Sequence, residues 1–173
     1  MLSRALRLLV LVAAATLASA GAEPAWAQDN DELEAMAAAL KDTTFTLQDG
    51  LKAGEREGQP ISAQFEMDDG KLQVSIYTTK GDDFCEVVAD PKTGAIVKTE
   101  KITDTDELND AADQKAAMAK AKSSLAAVAD AAVKENSGFR AVSIFPDLQD
   151  GHAIAEVTLL QGTTAKKVTE KLD

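Results

Sequence analysis

The chain holds one histidine, His152, and one cysteine, Cys85. A first-row metal site of ordinary type takes two or three His or Cys ligands, and a Cys–His nucleophile needs the two side by side. These two fall in different halves of the chain. His152 opens a strand directly after Asp150-Gly151, and Cys85 lies inside an apolar strand. They read as a strand-edge histidine and a small buried hydrophobe. A single cysteine forms no internal disulfide, although it could pair with a partner or act as a thiol. Carboxylates are plentiful, at Asp68-Asp69, Asp82-Asp83 and Asp104-Thr105-Asp106-Glu107. Their spacing is not that of a calcium loop, and two of the clusters sit in turns, where Asp is common. Glycoside chemistry by paired acids needs a cleft with aromatic platforms, and the chain has one Tyr and five Phe besides Trp26. No H-E-x-x-H, G-x-S-x-G or Gly-rich phosphate loop is present. We therefore assign no catalytic residue, no metal ligand and no cofactor, and expect a protein that is not an enzyme.

The N-terminus reads as an export signal. Arg4 and Arg7 precede a short apolar run, Leu8 to Ala20, and Ala25-Trp26-Ala27 fits a small-x-small cleavage site. Residues 1–27 are thus a signal peptide, with Gln28 as the new N-terminus. The run is short for a membrane span of about 20 residues, and no later stretch is apolar enough to be one. The expected location is the periplasm or the extracellular space. The whole chain has a formal net charge of −11; loss of Arg4, Arg7 and Glu23 makes it −12. That surface repels nucleic acid and anionic lipid.

Helical spacing comes first. Residues 28–42 hold an N-terminal helix with Leu33, Met36, Ala37 and Leu40 on one face. Thr46-Leu47-Gln48-Asp49 resembles a capping box opening a second helix, which Gly50 and Gly54 should weaken by about 1 kcal/mol each. The period then changes to two. Ile61, Ala63, Phe65 and Met67 alternate with polar residues, Asp69-Gly70 turns the chain, and Leu72, Val74 and Ile76 alternate again. "FCEVVAD" is a third strand, and Asp90 to Gly94 turn into Ala95 to Ile102, which reads as a fourth extended piece or the start of a short helix. Residues 103–115 read as an acidic linker merging into one helix that ends near Asn136. Two strands around Asp150-Gly151 and a last strand, "AKKVTEKLD", complete the chain, with Pro146 marking an edge or a bulge.

Asp69-Gly70 and Gly81 recur at Asp150-Gly151 and Gly162, each 81 positions on. The chain therefore reads as one helix-plus-meander unit used twice. The first unit, over residues 43–102, resembles the PepSY domain, whose third strand ends in a D-x-x-T-G-x-[VIL] turn; here it is Asp90-Pro91-Lys92-Thr93-Gly94-Ala95-Ile96. The second unit, residues 116–173, lacks that turn and is a degenerate copy. The turn residues are explained by folding alone: Asp90 can accept from following amides and Gly94 supplies a positive φ. The resemblance implies an exported α+β protein of a family associated with propeptides and regulation of peptidases. It supplies no binding residues.

The expected fold class is therefore α+β, as two tandem units, each a helix on a three-stranded antiparallel sheet. The structural turn residues are Asp69, Gly70, Asp90, Thr93, Gly94, Asp150 and Gly151. The expected function is a protein-binding module that contacts another exported protein, with a peptidase as one candidate. Ser62, Gln64 and Glu66, or Lys71, Gln73, Ser75 and Tyr77, would be the exposed polar side of its sheet. The alternative is a periplasmic protein that binds a small ligand or a cation in the cleft between the units. In a third arrangement the halves complete each other's sheets.

Overall fold

The computed structural model describes residues 25–173, with side chains from Asp31 onward; the signal-peptide reading falls largely outside the described residues. The element order is α1 (Ala25–Leu40), α2 (Leu47–Gly54), β1 (Gln59–Asp68), β2 (Lys71–Lys80), β3 (Asp83–Ala89), β4 (Ile96–Lys101), α3 (Thr105–Met118), α4 (Leu125–Glu135), β5 (Arg140–Gln149), β6 (His152–Gln161) and β7 (Thr164–Lys171).

The class is α+β, but the two units do not keep separate three-stranded sheets. All seven strands form one antiparallel sheet in the order β4-β3-β2-β1-β5-β6-β7. The halves complete each other because β1 and β5 would otherwise each present an unpaired edge at the centre of the molecule. They pair only through Ala63↔Ile144 and Gln64↔Ser143. Pro146, which has no N–H to give, lies on β5 two residues past the last of these pairs.

The internal repeat survives in the backbone. Strand β1 maps onto β5 and β2 onto β6 at a shift of 81. The irregularity at Ile61, between the paired Pro60 and Ser62, recurs at Val142, between Ala141 and Ser143. Asp69 and Gly70 both take positive φ, 48° and 74°, and Asp150 and Gly151 repeat this at 52° and 82°. These are the mirror-image hairpin turns that Asp-Gly favours. Ala63 pairs with Ile144, its own equivalent, so a pseudo-twofold axis runs through that pair. The first half carries an additional strand, β4.

Helices α1, α2 and α4 cover one face. Met36, Ala37, Leu40, Leu47, Leu51, Leu125, Val128 and Ala132 pack there against Ala63, Phe65, Val74, Ile76, Ile144, Val157 and Leu159. The opposite face holds a smaller core of Ile61, Tyr77, Phe84, Ile102 and Ala111, under α3. The residues expected to form an acidic linker are mostly this helix. Asp104 caps it, accepting from the amides of Asp106 and Glu107 at 3.0 and 3.3 Å, and the acidic first turn suits the helix dipole. The single helix expected to reach Asn136 is two helices. Ser124 caps α4 by accepting from the Ala127 amide at 3.2 Å, and residues between Met118 and Ser124 carry the chain round to the other face. Leu172, fully buried, ties this connection to the sheet: its carbonyl accepts from the Lys122 and Ser123 amides at 2.6 and 3.0 Å.

Candidate interaction surface

The turn that carries the PepSY resemblance is built as its residues require. One Asp90 carboxylate oxygen accepts from the Lys92 and Thr93 amides at 2.7 and 3.3 Å, and the Thr93 hydroxyl accepts from the Ala95 amide at 3.3 Å. Gly94 sits at φ 69°, and its amide donates to the Asp90 carbonyl at 2.8 Å. The turn docks on the corner between α1 and α2. The Thr43 hydroxyl donates to the Pro91 carbonyl at 2.5 Å, and a side chain on Gly94 would meet the Phe45 ring at 3.3 Å. Its effect is to place β4, one outer strand of the sheet.

The same corner is clamped from the other half by Arg140, at the start of β5. Its guanidinium donates to the carbonyls of Leu40, Thr43 and Phe45 at 2.8, 3.3 and 2.6 Å and lies over the Phe65 ring, 5.5 Å from its centroid. Burial holds its pKa below the usual arginine value. Sequence reading passed over Arg140, Thr43 and Phe45. A lone Arg at a strand start carries no signal, because its partners are backbone carbonyls about 100 residues away.

The polar side of β1 and β2 is not an exposed face. Ser62 and Ser75 are fully buried, and Gln64 and Tyr77 nearly so. The Ser62 hydroxyl donates to Gln114 of α3 at 2.6 Å. On the same face, the Glu66 carboxylate accepts from the side-chain Nε2 groups of Gln64 and Gln73 at 3.2 and 2.6 Å and from the Ser75 hydroxyl at 2.7 Å. Glu86, across the pleat, is pushed above the ordinary carboxylate range by burial, with the Glu66 charge adding to it and the Ser75 hydroxyl opposing it. Tyr77 is raised by burial and then by Glu86, Glu66 and Glu107. Lys71 stays exposed. The alternation of polar residues marked the face correctly but could not show that a later helix lies on it.

Candidate chemical residues stay apart. Cys85 is half-buried on β3, opposite Lys101. His152 is exposed, with its Nδ1 2.7 Å from Asp173, whose carboxyl this contact holds below the usual range. Among the described residues, no three His, Cys, Asp or Glu side chains are grouped to hold a metal ion, and no helix is long and apolar enough to cross a membrane. A cleft of about 540 Å³ lies where the halves meet, lined by Leu51, Pro60, Met118, Ser124 and Leu125 among others.

What remains open is the rim. Among the described residues, strands β4 and β7 each have a neighbouring strand on one side only. In β4 every residue from Val97 to Lys101 is exposed, and Val97, 62% exposed, is the one large apolar side chain so open among the described residues.

No family model and no curated protein matches the chain. The PepSY resemblance therefore rests on the residues quoted above. Among solved structures, a candidate lipoprotein from Clostridium difficile is similar at 16% identity over 70% of this chain and 80% of that one, with a TM-score of 0.39. That likeness is too slight to bear on fold or function.

Proposed function

We propose that the chain is a non-catalytic exported module of PepSY type that binds another extracytoplasmic protein. The supporting observation is the open rim of the sheet: two outer strands, β4 and β7, whose backbone groups on one side meet no strand among the described residues. Such an edge takes an extended segment through main-chain hydrogen bonds, with side-chain pockets adding selectivity. The PepSY resemblance makes a peptidase one candidate for the partner, and the signal-like N-terminus supports an encounter in the periplasm or outside the cell. The test is a pull-down with the chain from Gln28, immobilised in extracytoplasmic extract, with mass spectrometry of what is held. One protein enriched at native abundance is the expected result; if it is a peptidase, added protein should slow it. An empty lane sinks the proposal. The 540 Å³ cleft at the junction of the halves favours a second reading, a small ligand, for which a rise in melting temperature on ligand screening is the check.

A further inference from the structure

The repeat supplies an internal comparison. Strand β3 of the first half maps onto β7 of the second: Asp83 falls on Thr164, Cys85 on Lys166, Glu86 on Lys167 and Val87 on Val168. Each pairs on its inner side with the equivalent strand, β2 or β6, in the same antiparallel sense. They differ on the outer side. The outer edge of β3 is filled by β4, which runs antiparallel to it from Ile96 to Lys101. Among the described residues, the outer edge of β7 has no strand. The fold thus displays, in its first half, how the slot on its second half is filled.

The side chains along that slot have changed sign. Glu86 becomes Lys167, Cys85 becomes Lys166, Asp90, just past β3, becomes Lys171, and Asp83 becomes the neutral Thr164; Glu170, in the place of Ala89, is the one acid of β7. All three lysines are exposed. Lys166 donates to the Asn136 side-chain oxygen at the end of α4, and Lys167 pairs with Glu156 of β6, each at 2.6 Å, so a docking carboxylate would share these two lysines with partners on the inner side. The chain around this basic strip is strongly acidic overall, at −11. Edge lysines usually serve to discourage strand pairing. They do so by repelling a basic strand, including β7 of a second copy, and by the cost of desolvating the ammonium groups beside a neutral one. A strand carrying carboxylates opposite them forms favourable cross-strand pairs instead.

We propose that the outer edge of β7 is a docking slot for an extended acidic segment of a partner protein, added antiparallel to β7 in the place that β4 takes beside β3. This rests on the protein-binding reading and specifies its edge and the chemistry of its partner. Main-chain hydrogen bonds hold the segment, and Lys166, Lys167 and Lys171 select its charge.

The probe is a fluorescein-labelled heptapeptide of alternating Glu and Val, followed by fluorescence anisotropy with the chain from Gln28, beside a peptide with Lys in place of Glu. The acidic peptide should bind and the basic one should not. The double variant Lys166→Glu, Lys167→Glu should weaken binding about tenfold or more, while Lys98→Glu on β4 leaves it unchanged. Both lysines are exposed, so these variants should fold, and their melting curves check this. N-methylation of one alternate set of peptide amides should abolish binding and of the other set should not, since only one set faces β7. Equal binding of both peptides, or indifference to the lysine changes, overturns the slot. A photocrosslinker at Lys167 and another at Lys98, used in extracytoplasmic extract, separate the two levels. Capture from Lys98 alone rejects the β7 slot and keeps the protein-binding reading; capture from neither rejects both.

Discussion

Replacing Arg140 by Met should loosen the joint between the halves. The three carbonyls it holds, those of Leu40, Thr43 and Phe45, close the last turn of α1 and the corner into α2, and its charge also complements the C-terminal end of the α1 dipole. A hydrogen bond from a charged donor contributes about 1.5 kcal/mol or more, so three would total about 4.5 kcal/mol if independent. They share one group, and Arg140 is only half-buried, so water can replace part of what is lost. About 2 kcal/mol is the expected loss. For a chain of this size, that lowers the melting temperature by about 4–8 °C. Met keeps much of the apolar stem, which isolates the guanidinium's contribution. Urea and thermal unfolding give the stability change, and hydrogen exchange locates it. The amides of α1 and of residues 41–46 should exchange faster while those of β6 change only with global stability. A loss below about 0.5 kcal/mol, or faster exchange spread evenly over the sheet, would refute the clamp.

Gly54→Ala should destabilise the chain by about 1–3 kcal/mol, although alanine is the better helix former; the added Cβ would lie 2.7 Å from Ile76 Cγ2, and denaturant midpoints measure the result. Asp90→Ala removes the acceptor for two turn amides and should cost about 1 kcal/mol, with new exchange confined to the turn and β4. Glu86→Gln should stabilise the chain at pH 7. Burial raises the Glu86 pKa in the folded state, so the fold binds that proton more tightly than the unfolded chain, and stability falls as pH rises through the folded value. The gain from Gln should shrink as pH falls through the raised value toward the ordinary carboxylate range, which melting curves at pH 4 and pH 7 would show.

Much of this architecture was legible because it is local. Asp69-Gly70 and Asp150-Gly151 need positive φ, and the capping box at Thr46 and Asp49 forms with bonds of 2.9 and 3.1 Å. Strand alternation sorted Ala63, Phe65, Val74 and Ile76 to one face. The misreadings are long-range. Gly50 and Gly54 look like helix weaknesses, yet each lets α2 press on the sheet, where a Cβ would meet Val74 or Ile76 below 3 Å. The 103–115 segment reads as a linker because α3 buries Ala111, Gln114 and Ala117 and no large apolar residue fully, so its periodicity is faint. The joining of β1 to β5 has no sequence marker, since it rests on two residue pairs. For the candidate surface, the turn residues Asp90, Thr93 and Gly94 were readable and the piece after them read as extended or helical, but its place as an outer strand of one sheet was not.

The most direct test of the protein-binding account is photocrosslinking at the rim under native conditions. The chain should carry the crosslinker at Val97, at Lys167, or at Lys52 on α2 as a control away from the rim. The account predicts one discrete adduct with a single exported protein from a rim position and none from the control. No adduct from either outer strand, or the same diffuse products from all three positions, would contradict it.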